Sequence, residues 1–241
     1  MGFQAAKASN FEEELAALQR QFEQASPQEV LRWAAEHFGE KVVLVTSFQP
    51  TGVVTLHMLS EMKLNIPVVT LDTGLLFPET YELMETLQAR LGFSLTKVQP
   101  PMSVEQQAEH YGDRLWERDP DQCCHLRKVL PLQSVLPAYD AWITGIRRDQ
   151  SATRTKTPVI SWDNRYQLIK LCPFATWTEE MVWTYIHAYE LPYNKLHDLG
   201  YPSIGCLTCT RAVSQGEDIR AGRWANHVKT ECGIHIAPKE S

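Results

Sequence analysis

Five of the six cysteines in this 241-residue chain stand where thiols could do chemistry. Cys206 and Cys209 lie three positions apart in "IGCLTCTRAV", Cys123 and Cys124 are adjacent in "DQCCHLRKVLPL", and Cys232 lies near the end in "KTECGIH". The CC and CxxC pairs supply four thiolates, the donor set of a structural zinc site or of an iron–sulfur cluster. Two neighbouring cysteines converge on one tetrahedral ion only with strain, whereas a four-iron cube offers each its own corner. The spacing therefore favours a 4Fe–4S cluster, with zinc and a redox or structural dithiol as the alternatives. Cys232 stands apart from these four. In a glycine-bounded tail it is either an accident or a nucleophile, because reactive cysteines must be reachable and become thiolates. Cys172, in "KLCPF", reads as a buried core thiol.

A second set of residues suits an anion. Arg147, Arg148 and Arg154 crowd "GIRRDQSATR", and Arg220 and Arg223 sit in "RAGRW". Arginines bind phosphate or sulfate through paired hydrogen bonds, although a charge run is more often a solvated loop. In "VTSFQPTGVV", backbone N–H groups with the Ser47 and Thr51 hydroxyls could cradle a phosphate, or form an ordinary β–α turn. "LDTGLLFPETY" offers Asp72, Thr73 and Gly74, where an acid could meet a ribose hydroxyl or simply open a helix.

The elements that must position these residues follow from periodicity. "NFEEELAALQRQFEQA" places Phe11, Leu15, Leu18 and Phe22 on one helical face. "SPQEVLRWAAEHFG" carries Ser26 as N-cap, Pro27 at the first helical position, Glu29 closing a capping box and Gly39 as stop. Strands are predicted at 41–47, 66–72, 93–99 and 141–146, with helices after the first two. Such alternation predicts an α/β fold with a parallel sheet covered on both faces. Ligands bind beyond the carboxyl ends of such strands, which is where the three polar turns fall. A further helix is predicted after Thr178, with Val182, Ile186 and Tyr189 on one face, and the last thirty residues read as weakly structured.

Composition bounds the function classes. A hydrophobic fraction of 44% and a charged fraction of 22% are ordinary for a globular protein, and no run approaches a membrane span. The start of the chain has no apolar signal core, so the cysteines are expected in a reducing cytoplasm rather than in a disulfide framework. The net charge of −6 gives no general attraction to nucleic acid or membrane, so an anionic substrate requires a local basic pocket.

Linked motifs then carry a resemblance over some 190 residues: "LDTG..FPETY", "CC..RKV.PL", "TGIRRDQS.TR", "PF..WTEE.VW.YI", "SIGC..CTRAV..GED.RAGRW" and "ECGIH". The chain resembles the assimilatory adenylyl-sulfate (APS) and phosphoadenylyl-sulfate (PAPS) reductases, in their iron–sulfur-containing branch. The resemblance implies an adenine nucleotide α-hydrolase-like fold, with an N-terminal helical segment (1–40), a reductase domain (41–225) and a flexible tail (226–241). It implies that Cys123, Cys124, Cys206 and Cys209 ligate a 4Fe–4S cluster and that Cys232 is the nucleophile of sulfite formation. The turn with Ser47, Phe48, Thr51 and Gly52 and the segment Asp72–Gly74 would hold the nucleotide. Lys128 would lie between cluster and substrate, and Arg147, Arg148, Arg154, Arg220 and Arg223 would line the anion site. Thioredoxin or glutaredoxin would be the separate reductant, APS is favoured over PAPS, and a homo-oligomer is left open. One departure is clear: family members often read "SFSGAED" where this chain reads "SFQPTGV", which leaves the admission of a 3′-phosphate open.

Overall fold

The computed structural model describes residues 8–225, 227, 229 and 231–235. Helices α1 (Ala8–Phe22) and α2 (Pro27–Phe38) open the chain. The α2 entry forms as its sequence predicts. The Ser26 hydroxyl accepts from the Glu29 amide at 3.3 Å, and the Glu29 carboxylate accepts from the Ser26 amide at 2.7 Å. Gly39 ends the helix at φ +54°, a conformation glycine adopts without penalty.

Strands β1 (Val42–Val45), β2 (Val68–Leu71), β3 (Leu95–Val98) and β4 (Ala141–Ile143) fall inside the four predicted segments. Helices α3 (Pro50–Glu61) and α4 (Pro78–Leu91) follow the first two, each with proline in its first turn. Two further strands, β5 (Ile160–Asp163) and β6 (Leu168–Leu171), were not read from the sequence. The sheet order is β3-β2-β1-β4-β6-β5, parallel except for the last strand, which runs antiparallel to its neighbour. The expected parallel sheet forms, with one antiparallel strand added at its edge, where a hairpin replaces a crossover.

Alternate residues of β1 divide the core. Val42 and Leu44 join the large cluster with α2, α3, α4 and buried residues near 182–191, while Val43 and Val45 face Trp142, Leu132 and Leu136. Both faces are therefore covered in the centre of the sheet, whereas β3 at the other edge is half exposed.

After β3 come α5 (Val104–Tyr111), α6 (Leu115–Arg118) and α7 (Pro120–Cys124). A widened π turn, His125–Val129, leads into α8 (Leu130–Val135). Pro131 has no N–H to give to the helix ladder, and the Leu130 amide bonds instead to the His125 carbonyl five residues back. Helix α9 (Glu179–Ala188) starts at Thr178, whose hydroxyl accepts from the Met181 amide at 3.2 Å. Val182 and Ile186 are buried as expected, but Tyr189 lies past the helix end and is 49% exposed. No strand or α-helix forms after α9 among the described residues, yet residues 206–224 double back on themselves. The bridge Thr210–Arg223 and the bond from the Arg211 amide to the Gly222 carbonyl (2.9 Å) hold that loop closed.

Candidate active site

A cavity of about 220 Å³ opens at the carboxyl ends of β1, β2 and β4. Its floor needs two glycines. A Cβ on Gly52 would stand 2.2 Å from the Thr46 hydroxyl oxygen, and one on Gly145 would stand 3.2 Å from Thr51 Cβ. The β1 turn and the β4 end therefore approach more closely than side chains allow. Thr46 Oγ1 also accepts from the Phe48 amide at 3.1 Å, fixing Phe48 at φ +58°. This turn delivers the chain to Gln49 and Pro50, the entry of α3. The Gln49 side chain, at the N-cap, does not cap that entry, so the first N–H groups and the positive end of the helix dipole meet the cavity, as an anion site requires. Gln49, one of the residues that sets "SFQPTGV" apart, instead accepts from the Ile204 amide at 3.0 Å.

Most of the expected anion-binding residues line this space. Ser47, Thr51, Gly52, Thr73 and Lys128 do, and so do Arg147, Arg154, Arg220 and Arg223. Arg147 is held by Asp149 (2.9 Å) and donates to the Thr51 hydroxyl at 2.8 Å. Arg223 lies flat over Gly205 and stacks on Trp224 at 4.5 Å, and its buried Nε has no hydrogen-bond partner among the described residues. Four expected residues are not brought to the cavity wall. Phe48 is buried behind the turn. Asp72 accepts from Tyr81 Oη (2.6 Å), the Gly74 amide (3.1 Å) and Gln99 (3.2 Å). Burial raises its pKa, but those three donors together hold it below the usual carboxylate value. Asp72 thereby braces the loop that carries Gly74 rather than facing the cavity. Arg148 points the other way, donating to both Glu23 carboxylate oxygens at 2.6 and 2.9 Å.

The four paired cysteines share a second, small pocket that adjoins the first through Lys128, which lines both. Cys123 and Cys124 end α7, just before the π turn that carries Lys128. Cys206 precedes and Cys209 ends a single 3₁₀ turn, which the β2 loop anchors through the bridge Leu76–Cys206 and a Leu207 amide bond to the Leu75 carbonyl (2.8 Å). Thr73 Oγ1 lies 3.3 Å from Cys206 Sγ, and Gln107 donates to Cys123 Sγ at 3.8 Å. Burial and then the neighbouring thiols push Cys123 up to about 12, and burial raises Cys124 and Cys209 as well. Thiols so raised ionise only with a compensating charge. Arg127 is anchored to the Thr73 carbonyl at 2.6 Å on one side of the pocket. Desolvation works against the charge of half-buried Lys128, but the sulfurs of Cys206, Cys124 and Cys232 outweigh it and hold its pKa above the ordinary lysine value. This donor set, four soft sulfurs without a carboxylate and beside two cations, fits an iron–sulfur cluster of net negative charge. Among the described residues no three His, Cys, Asp or Glu side chains are gathered closely enough to hold a metal ion.

Cys232 is half-buried and lines the larger cavity. Of the tail around it, residues 227, 229 and 231–235 are described, and residues 231–235 pack against the body of the protein. Glu231 is bound by Arg154, Tyr166 Oη donates to the Ile234 carbonyl at 3.4 Å, and His235 stacks on Trp142 at 5.6 Å. Cys172 is fully buried, as expected of a core thiol, and burial raises it to about 11. The sequence reading missed Thr46, Gln49, Gly145 and Glu231. Only Gly145, inside "TGIRR" at a strand end, carried a visible signal.

Comparison with known proteins bears on this geometry. The phosphoadenosine phosphosulfate reductase domain matches residues 41–212. A Salinibacter ruber protein named adenosine 5′-phosphosulfate reductase is 47% identical over 227 residues, covering 94% of this chain and 90% of that one. A Halalkalibacterium halodurans protein of the same name is 50% identical over 208 residues, covering 86% and 90%. The crystal structure of phosphoadenylyl-sulfate (PAPS) reductase from Candida auris, a phosphate complex, is 33% identical. It superposes with a TM-score of 0.76, covering 88% of this chain and all of that one.

Proposed function

This chain belongs to the phosphoadenosine phosphosulfate reductase domain family, and on that premise we propose that it reduces APS to sulfite and AMP, with Cys232 as nucleophile. The single observation that carries the reading is the placement of Cys232 in the wall of a basic cavity at the strand ends. The names of the relatives support APS as substrate; PAPS is the alternative, as the name of the Candida auris structure indicates.

The adenosine phosphate would sit at the α3 entry, with its charge met by helix N–H groups, Thr51 and Arg147. The sulfate would lie toward Lys128, Arg223 and Cys232. Cys232, as thiolate, attacks the sulfur. An S–S bond forms as the bridging S–O bond breaks, and AMP leaves with the electron pair. Lys128 and the arginines offset the repulsion between thiolate and sulfate and the charge on the leaving phosphate. An external dithiol, thioredoxin or glutaredoxin, then attacks the Cys232 sulfur and releases sulfite. A mixed disulfide forms, and the second thiol resolves it, so the dithiol supplies both electrons. For that exchange Cys232 must leave its position in the cavity wall. Cys123, Cys124, Cys206 and Cys209 would hold a 4Fe–4S cluster, which when bound supplies a compact charge beside Lys128 that tunes the sulfate end of the cavity.

The test is intact-protein mass after anaerobic mixing with APS, and separately with PAPS, in the absence of any reductant. The expected result is a sulfonate adduct on Cys232 with APS, none in Cys232→Ser, and sulfite release only once a dithiol is added. An adduct on another cysteine, or none with either nucleotide, would overturn the reading.

A further inference from the structure

Glu231, the residue before Cys232, does not face solvent. Its side chain is 3% exposed and lies in the cavity wall. Arg154 grips it with two bonds, Nε to Oε1 at 2.8 Å and Nη2 to Oε2 at 2.6 Å. Arg220 Nη2 adds a contact to Oε2 at 3.3 Å. The hydroxyls of Ser151 and Thr153 each reach Oε1 at 3.4 Å. Two guanidiniums and two hydroxyls converging on one anion form the constellation that a sulfate or phosphate oxyanion would take. Both arginines line the cavity proposed for the substrate. With the tail docked, their charge is already answered by the chain itself.

We propose that Glu231 is a positioning residue that occupies an anion seat of the cavity, so that the docked tail and a bound oxyanion compete for Arg154 and Arg220. This rests on reading the cavity as the substrate site. Two states follow. In one, Glu231 is seated and holds Cys232 at the cavity, leaving Arg147, Arg223 and Lys128 for the ligand. In the other, a ligand anion takes Arg154 and Arg220, Glu231 is displaced, and Cys232 turns outward. AMP freed by the reaction would thus itself favour presentation of the sulfonated cysteine to the reductant. Burial would raise the Glu231 pKa, but the two arginines outweigh it and keep the carboxylate ionised, as the seat requires.

The experiment uses the full chain with its cluster, held anaerobically. The rate of Cys232 alkylation by iodoacetamide, mapped by mass, is measured without ligand, with inorganic sulfate and with AMP. Sulfate and AMP should each accelerate alkylation several-fold. Glu231→Gln, which keeps the shape and removes the charge, should react quickly without ligand and respond to neither anion. It should also bind AMP roughly tenfold more tightly, because two arginines are released, while turnover of APS falls. Arg220→Gln removes one side of the seat without altering the tail and should blunt the sulfate response likewise. Protection of Cys232 by both anions in the parent protein, or weaker AMP binding by Glu231→Gln, would overturn the proposal, since a merely structural residue loosens the site. The sulfate response needs no turnover. An intact response without an APS adduct would therefore sink the reductase reading alone, and an adduct without the response would sink the seat alone.

Discussion

Gly52 shows how far single residues shape this site. Its missing side chain leaves room for Thr46 Oγ1, which in turn holds the Phe48 amide in a left-handed turn. Gly52→Ala places a methyl group where that oxygen sits. We expect a loss of about 1–3 kcal/mol in urea denaturation and roughly tenfold weaker AMP binding, since a small displacement at a ligand site is costly. An unchanged denaturation midpoint would mean that Thr46 rotates aside freely. The four paired cysteines and Cys232 were legible in the sequence because their side-chain chemistry is rare and their spacing is local. Glu231 was not. Its meaning comes from Arg154, 77 positions away, and no local pattern distinguishes a carboxylate that fills an arginine seat from one that faces water.

At the scale of elements, helix caps were readable because Ser26, Glu29 and Gly39 act within one turn. The hairpin of β5 and β6 was not. Its strands are four residues each, and the loop between them is built by Asp163, whose carboxylate accepts from the Arg165 and Tyr166 amides, rather than by a glycine. The π turn was equally hidden, because a widened helical turn keeps helical composition. Arg148 illustrates how an element can claim a residue that the motif assigns elsewhere. It reaches past the cavity to Glu23 at the end of α1, a part-exposed pair with side-chain exposures of 28% and 42%. Arg148→Gln should therefore lower stability by up to about 1 kcal/mol and leave AMP affinity within about twofold. A large loss of affinity would return Arg148 to the anion site.

For the whole molecule, acid stability turns on groups that the fold holds in unusual states. His197 sits against Trp183 with a buried Nε2 that lacks a partner among the described residues, and burial lowers its pKa from 6.5 to about 4. Its neutral form is the one the fold accommodates. As pH falls from 6.5 to about 4, the unfolded chain takes up a proton that the folded chain refuses, so stability drops by up to about 3 kcal/mol. The Glu231 carboxylate adds to this lower down. Its contribution is complete above its unfolded value near 4.5 and is lost as pH falls through its depressed folded value. Denaturation midpoints followed from pH 8 to 4 should fall through this window, and His197→Gln should flatten the upper part of the decline. An equal slope in the variant would assign the loss to other groups.

The antiparallel strand β5 ends the sheet on a row of backbone groups with no further strand beside them among the described residues. Helix α1 lies along this border. Gln19 donates its side-chain amide to the Ile160 carbonyl at 3.1 Å, and Phe11 meets Trp162 edge-on at 5.2 Å. Such borders recruit strands from other molecules when left bare. The first helix therefore covers this border, and a version of the protein begun at Ser26 would keep every cavity residue yet bare the flank. Its weakness would appear as loss of solubility on storage rather than as loss of chemistry.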